Sequence, residues 1–269
     1  MKFPYIYTTI VTLPLGYHTR VMVPVSKIQE RVSKNVFDYN IEVKFIAFRK
    51  GEIFSKESKI ISKLSSGILE FEISDQDGLC SDSGYAELSF VEKNYQPIFN
   101  SRTVMSFYTS YYHENKKSFL SDNAYKFGSP TTILQMAKIK RYIDAYPTGE
   151  INIEKDLDET LVFINPYKRI IKAKIFTADG RKIENIKISP FSVYEILLSK
   201  LLMSEEETKW SGHIQLTASN RIVTFNFKHS FKNKKIISDY EHLDPFRGEE
   251  TYMALTKSLR NKIGGYVRD

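Results

Sequence analysis

The chain has 269 residues, of which 42% are hydrophobic, 26% charged and 13% aromatic, with one Cys and a net charge of +7. So much Tyr, Phe and Ile excludes a disordered chain, because it can bury enough apolar surface to offset the ordering entropy. The lone Cys80 excludes an internal disulfide framework, and the spread-out basic excess speaks to solubility more than to a dedicated basic domain.

From the N-terminus, Met1–Ile10 interleaves Pro, Tyr and Thr, with no apolar run or small-residue cleavage site of the secretory kind. No later stretch reaches the roughly 18 apolar residues of a membrane helix. With the single thiol, these features predict a cytoplasmic protein with no membrane partner. Val21–Val25 reads as a strand, and alternation of period two predicts others over Ile41–Phe48 and Gly84–Phe90. His18, at the start of the first of these, reads as a structural residue. Lys50-Gly51, Ser65-Ser66-Gly67 and Asp77-Gly78 punctuate them as turns.

Thr131–Tyr142 predicts a short helix in a connecting segment, and Ala145–Glu150, with Pro147 and Gly149, predicts the linker between two domains, 1–145 and 150–269. The acidic run Glu154–Glu159 is expected to face water ahead of a strand at Thr160–Ile164. Lys172–Thr177 and Lys182–Ile188 flank Asp179-Gly180, the signature of a tight hairpin. His213–Thr217 and Arg221–Phe227 read as further strands, and Thr251–Lys262 as a C-terminal helix.

Four blocks recur in the same order in both halves. Lys44–Gly51 matches Ala173–Gly180, Ile68–Ser74 matches Val193–Ser199, Ser83–Ser89 matches Ser211–Thr217, and Lys117–Asp122 matches Lys235–Asp239. Four matches in register predict an all-β chain of two tandem, internally duplicated antiparallel β-sandwich domains. Open sandwiches leave strand edges that must be covered or paired, which predicts a homodimer formed through them.

The second half, from Leu161–Pro166 through Asp179-Gly180, Pro190-Phe191-Ser192 and Ser211–Ser219, resembles small bacterial β-sandwich domains of the sensory rhodopsin transducer-like kind. Those domains place an Asn-Pro turn after the first strand, then a hairpin, then a late strand opened by Gly. The resemblance implies a non-enzymatic interaction domain that often oligomerises. It transfers no functional residue, because the matching positions make turns.

Two segments hold candidate ligand contacts. Tyr111, Tyr112 and His113, beside Tyr108 and the Glu114–Lys117 charges, combine aromatic faces with polar groups suited to a carbohydrate or a peptide. Asp239, Glu241, His242, Asp244 and Arg247 form the densest polar stretch, expected as a loop in which Asp239 caps a turn. Within it, His242 and Asp244, joined by His229 from the preceding strand, are the candidate ligands for a divalent metal, although no HxH or HExxH pair is present. No cofactor motif occurs: there is no GxSxG, GxGxxG or GxxxxGK[ST]. The leading expectation is a non-enzymatic interaction protein contacting a protein or carbohydrate through loops at strand ends. A metal-assisted hydrolase or sugar-modifying enzyme ranks second, and a nucleic-acid binder last.

Overall fold

The structure, a computed structural model, describes residues 6–11, 18–30, 39–73, 83–92, 108–113, 116–122, 125–127, 144–148, 150–168, 170–218, 222–230 and 236–242. The helices predicted at Thr131–Tyr142 and Thr251–Lys262 lie outside those residues, as do Cys80, Asp244 and Arg247. Every strand pairing is antiparallel. The fold is all-β, as the alternation predicts. Two compact units divide between Phe127 and Gly128.

The first unit opens with β1 (Ile6–Val11), β2 (His18–Pro24) and a five-residue helix, α1 (Val25–Gln29). It continues through β3 (Asn40–Arg49), β4 (Glu52–Ser62), β5 (Ile68–Ile73), β6 (Gly84–Glu92), β7 (Tyr108–His113), β8 (Lys116–Asp122) and β9 (Tyr125–Phe127). These strands make two sheets, in the orders β4-β3-β6-β1-β9 and β5-β2-β7-β8. Their facing sides supply one core. Val43, Phe45, Ala86 and Leu88 from the first sheet meet Val21, Val23, Phe71 and Ile73 from the second. Phe45 stacks on Phe71 with centroids 5.1 Å apart, so the contact crosses from sheet to sheet.

The second unit runs through β10 (Asp144–Pro147), β11 (Ile151–Glu154), β12 (Leu157–Asn165), β13 (Ile171–Thr177), β14 (Lys182–Ile188) and β15 (Ser192–Leu197). A second short helix, α2 (Leu198–Leu202), precedes β16 (Lys209–Gly212), β17 (Ile214–Ala218), β18 (Val223–Ser230) and β19 (Ile236–His242). One sheet has the order β10-β17-β13-β14; the other has β16-β11-β12-β18-β19, with β15 also on β12. Asp144–Pro147, at the start of the expected linker, is therefore an edge strand, and an edge is where a Pro lacking its N–H is tolerated.

Set beside each other, the units share a strand order. β4-β3-β6-β1 corresponds to β14-β13-β17-β10, and β5-β2-β7-β8 to β15-β12-β18-β19, with the eight strands in the same chain order. The recurring sequence blocks fall on the corresponding strands β3 and β13, β5 and β15, β6 and β17, and β8 and β19. β9 is added in the first unit, and β11 and β16 in the second.

That addition creates a fork, because β12 gives one edge partly to β11 and partly to β15. Two carboxylates fill it. Asp158 Oδ1 accepts the N–H of Ser199 in α2 at 3.1 Å, and Glu159 Oε1 accepts the Asn152 N–H from β11 at 2.8 Å. Glu159 Oε2 takes the Asn226 amide of β18 at 2.6 Å, with Lys228 Nζ 4.0 Å from its other oxygen. Both acids have no exposed surface, which corrects the expectation that the run through Glu159 faces water; only Glu154–Asp156, at the turn, is exposed. Burial pushes the Glu159 carboxyl above its ordinary range, opposed by Asn226, Asn152 and Lys228. Removing the carboxylate strands two donors, so Glu159→Ala is expected to destabilise the protein by about 3 kcal/mol. Asp156→Ala is expected to change stability by less than about 0.5 kcal/mol. Urea unfolding of the two variants checks this, and equal small effects would contradict it.

Candidate interaction edge

β4 is the outermost strand of its sheet, with β3 on one side and no strand on the other among the described residues. It begins at a two-residue turn, Lys50-Gly51, in which φ is +50° and +86°, the doubly left-handed geometry that lets a hairpin keep its twist. Ala47 faces Ser55 and Phe48 faces Ile53, so Phe54 is the extra residue of a bulge. The Arg49 guanidinium lies 4.6 Å from the Phe54 ring centroid.

Exposed apolar side chains occur along β4, in the turn after it and at the start of β5, with Ile53 and Ile60 on the outer face of one sheet and Ile68 on the outer face of the other. Ile53 is 56% exposed, Phe54 39%, Ile60 52%, Leu64 93% and Ile68 56%; beyond them, the large apolar side chains exposed among the described residues are Tyr108 and Ile170. Ile53 and Ile60 share one face of β4 with Lys56 and Ser58, by their pairing with Phe48, Glu42, Ile46 and Lys44. The corresponding strand of the second unit, β14, instead exposes Lys182, Asn185 and Lys187.

Leu64 is held out by a rigid turn. Gln29 Nε2, at the end of α1, donates to the carbonyls of Ser62 at 3.2 Å, Lys63 at 3.4 Å and Ser65 at 2.8 Å. Ser65 Oγ accepts the Ser62 N–H at 2.9 Å, and Ser62 Oγ accepts the Leu64 N–H at 3.3 Å. Val25 N–H reaches the Gly67 carbonyl at 3.0 Å, with Gly67 at φ +83°, a conformation in which a side chain would be strained. Below the turn, Lys59 Nζ donates to the Glu70 carbonyl, pairs with Glu57 at 3.1 Å and lies 4.8 Å from the Phe71 ring centroid. Lys59 thus covers part of the β5 edge and leaves β4 open.

Further in on the same face, the ladder sets Lys56, Ile46 and Glu87 in a row. Burial pushes the Glu87 carboxyl up to about 7, while the Tyr85 hydroxyl, donating at 3.3 Å, acts the other way.

The residues singled out in sequence lie elsewhere. Tyr111 and Tyr112 sit in β7 between β2 and β8, opposite Thr19 and His18, and His113 ends the strand. His18 opens β2 as expected. Asp239, Glu241 and His242 belong to β19 and not to the expected loop, and Asp239 stands opposite Lys228 in the ladder. His229 stands opposite Ile237, whereas His242 stands opposite Phe225, four positions along β18 and so about 13 Å away. The register does not make these two histidines neighbours. Among the described residues no group of three His, Cys, Asp or Glu could hold a metal, and no helix is long and apolar enough to cross a membrane. Sequence reading missed the edge because Glu52–Ser62 lacks clean alternation. The signal available was the interval itself, bounded by Lys50-Gly51 and Ser65-Ser66-Gly67.

No family model matches the chain, and no curated protein matches it. Among solved structures, it aligns with a chain titled "Structure of infectious bursal disease virus Gx strain", at 11% identity and a TM-score of 0.12. That alignment covers 97% of this chain and 75% of the other. A score that low carries no argument about fold or function.

Two measurements test the edge as described. Gln29→Leu should lower stability by about 1–2 kcal/mol and speed amide exchange at residues 63–66 specifically, since three carbonyls lose their donor. Unchanged exchange there would contradict the latch. For Glu87, a folded pKa raised from 4.5 to about 7 means that its stabilising contribution is present below about 4.5 and lost as pH rises through about 7. Between these values the native protein should lose stability relative to Glu87→Gln; a pH-independent difference would contradict the burial effect.

Proposed function

We propose that this chain is a non-enzymatic interaction protein of two tandem sandwiches copied from one unit, and that its partner meets the β4–β5 edge of the first. The observation that carries the reading is that Ile53, Phe54, Ile60, Leu64 and Ile68 stand exposed on β4, the turn after it and the start of β5, with no strand beyond β4 among the described residues. Exposed apolar side chains clustered in this way mark interaction sites, whereas single scattered ones do not. Fully burying an exposed side chain of this kind is worth about 1.5–3 kcal/mol, less for those already half-buried, and a preformed turn spares the ordering entropy that docking would otherwise exact. The common strand order and the matching blocks support the copying. The contrast between β4 and β14 then supports the edge, since a feature present in one copy alone is not required by the shared fold. The likeness of the second half to small bacterial interaction domains fits the same class.

A photoreactive p-benzoylphenylalanine in place of Leu64, and in a second variant in place of Lys187 on β14, separates the two edges. Irradiation in cells is expected to give covalent adducts at position 64 and none at 187, and adding Ile53→Lys and Ile60→Lys is expected to abolish them. Adducts at neither position, or equally at both, would refute the reading.

A further inference from the structure

We infer that the occupant of the β4 edge is a second copy of this chain, with β4 pairing antiparallel to its symmetry mate about Ser58. This rests on the proposed interaction edge and names its partner. A strand that pairs with its own copy across a two-fold axis places one residue opposite itself, and residue sums across the ladder are then constant. Centring on Lys56 sets two ammonium groups opposite each other, centring on Glu57 two carboxylates, and centring on Lys59 two ammonium groups again. Like charges directly opposite are destabilising. Centring on Ser58 sets Glu57 against the second copy's Lys59 twice and leaves no like-charge pair. Within Phe54–Ser62 the charged residues are Lys56, Glu57 and Lys59, and this register leaves each Lys56 opposite an uncharged residue.

In this register Phe54 to Ser62 of one copy pair with Ser62 to Phe54 of the other. Ile60 comes opposite Lys56, whose methylene stem can cover it while the ammonium stays in water. The edge N–H and C=O groups of β4 gain partners, and the sheet β4-β3-β6-β1-β9 continues into its copy. Lysines and a bulge often protect edges from such pairing. Here Lys59 is already turned toward Glu57, Glu70 and Phe71, and the bulge at Phe54 lies at the end of the paired segment.

A cysteine scan in a Cys80→Ser background, replacing Lys56, Glu57, Ser58 and Lys59 one at a time, reads the register directly. Mild oxidation is expected to give a disulfide-linked dimer fastest from Ser58→Cys, where opposed Cβ atoms lie about 4.5–5.5 Å apart. Light scattering of the otherwise native chain supplies the second readout. Glu57→Lys alone and Lys59→Glu alone should each weaken self-association about tenfold, and an equimolar mixture of the two should restore it. Matching thermal unfolding midpoints show that the variants fold; the cysteine scan stands even if Lys59→Glu does not. A native chain that stays monomeric at high micromolar concentration, or fastest cross-linking at another position, overturns the self-pairing. Monomers with position-64 adducts to other proteins would overturn it and leave the edge reading standing, whereas monomers with no adducts would defeat both.

Discussion

An antiparallel sheet ends in a strand whose outward N–H and C=O groups have no ladder to join, and those groups must find water, a side chain or another strand. The two units meet this constraint differently. In the second, side chains and added strands take up backbone groups where the shared strands end or diverge. Asn165 donates to the carbonyls of Ile188 and Ser189 at the end of β14, and Asp158 and Glu159 accept the N–H groups of Ser199 and Asn152 at the fork. In the first, Lys59 takes one carbonyl of β5, and among the described residues no strand joins the outer side of β4.

A shared strand order makes the comparison informative. Positions that both units need for the fold carry apolar residues, such as Val43 and Phe45 in β3 and Ala173 and Ile175 in β13, all of them buried. Among the described residues the polar fork and the apolar edge occur once each. The fork is spent within its own unit, since its acids are wholly buried and bonded to α2 and to neighbouring strands. The edge is not, because Leu64 stands almost fully in water while the turn beneath it is bonded from three sides. A turn built so firmly around an exposed leucine suits a surface that docks without rearranging.

Much of the architecture was legible in the alternation, since inward-facing strands such as Ile41–Phe48 and Gly84–Phe90 bury every second residue against the opposite sheet. The Lys50-Gly51 and Asp179-Gly180 turns were legible for the backbone reason that both need left-handed φ. β4 was not, because an edge strand exposed on most of its length has no inside to alternate against, and the bulge at Phe54 shifts what pattern remains. The acidic run misled for the opposite reason. Composition assigns carboxylates to water, whereas donors from β11, β18 and α2 hold Asp158 and Glu159 inside. The His and Asp cluster near the C-terminus drew notice through density alone, and pairing register, which local sequence does not encode, sets His229 and His242 apart.

Native-state amide exchange, followed from low to high micromolar protein concentration, addresses the β4 ladder itself. The outward amides of β4 should become more protected as concentration rises, while those of β14 keep one rate throughout. Exchange in β4 that is independent of concentration would mean that its edge remains in water, and the account of this surface as the protein's meeting place with its own copy would fall.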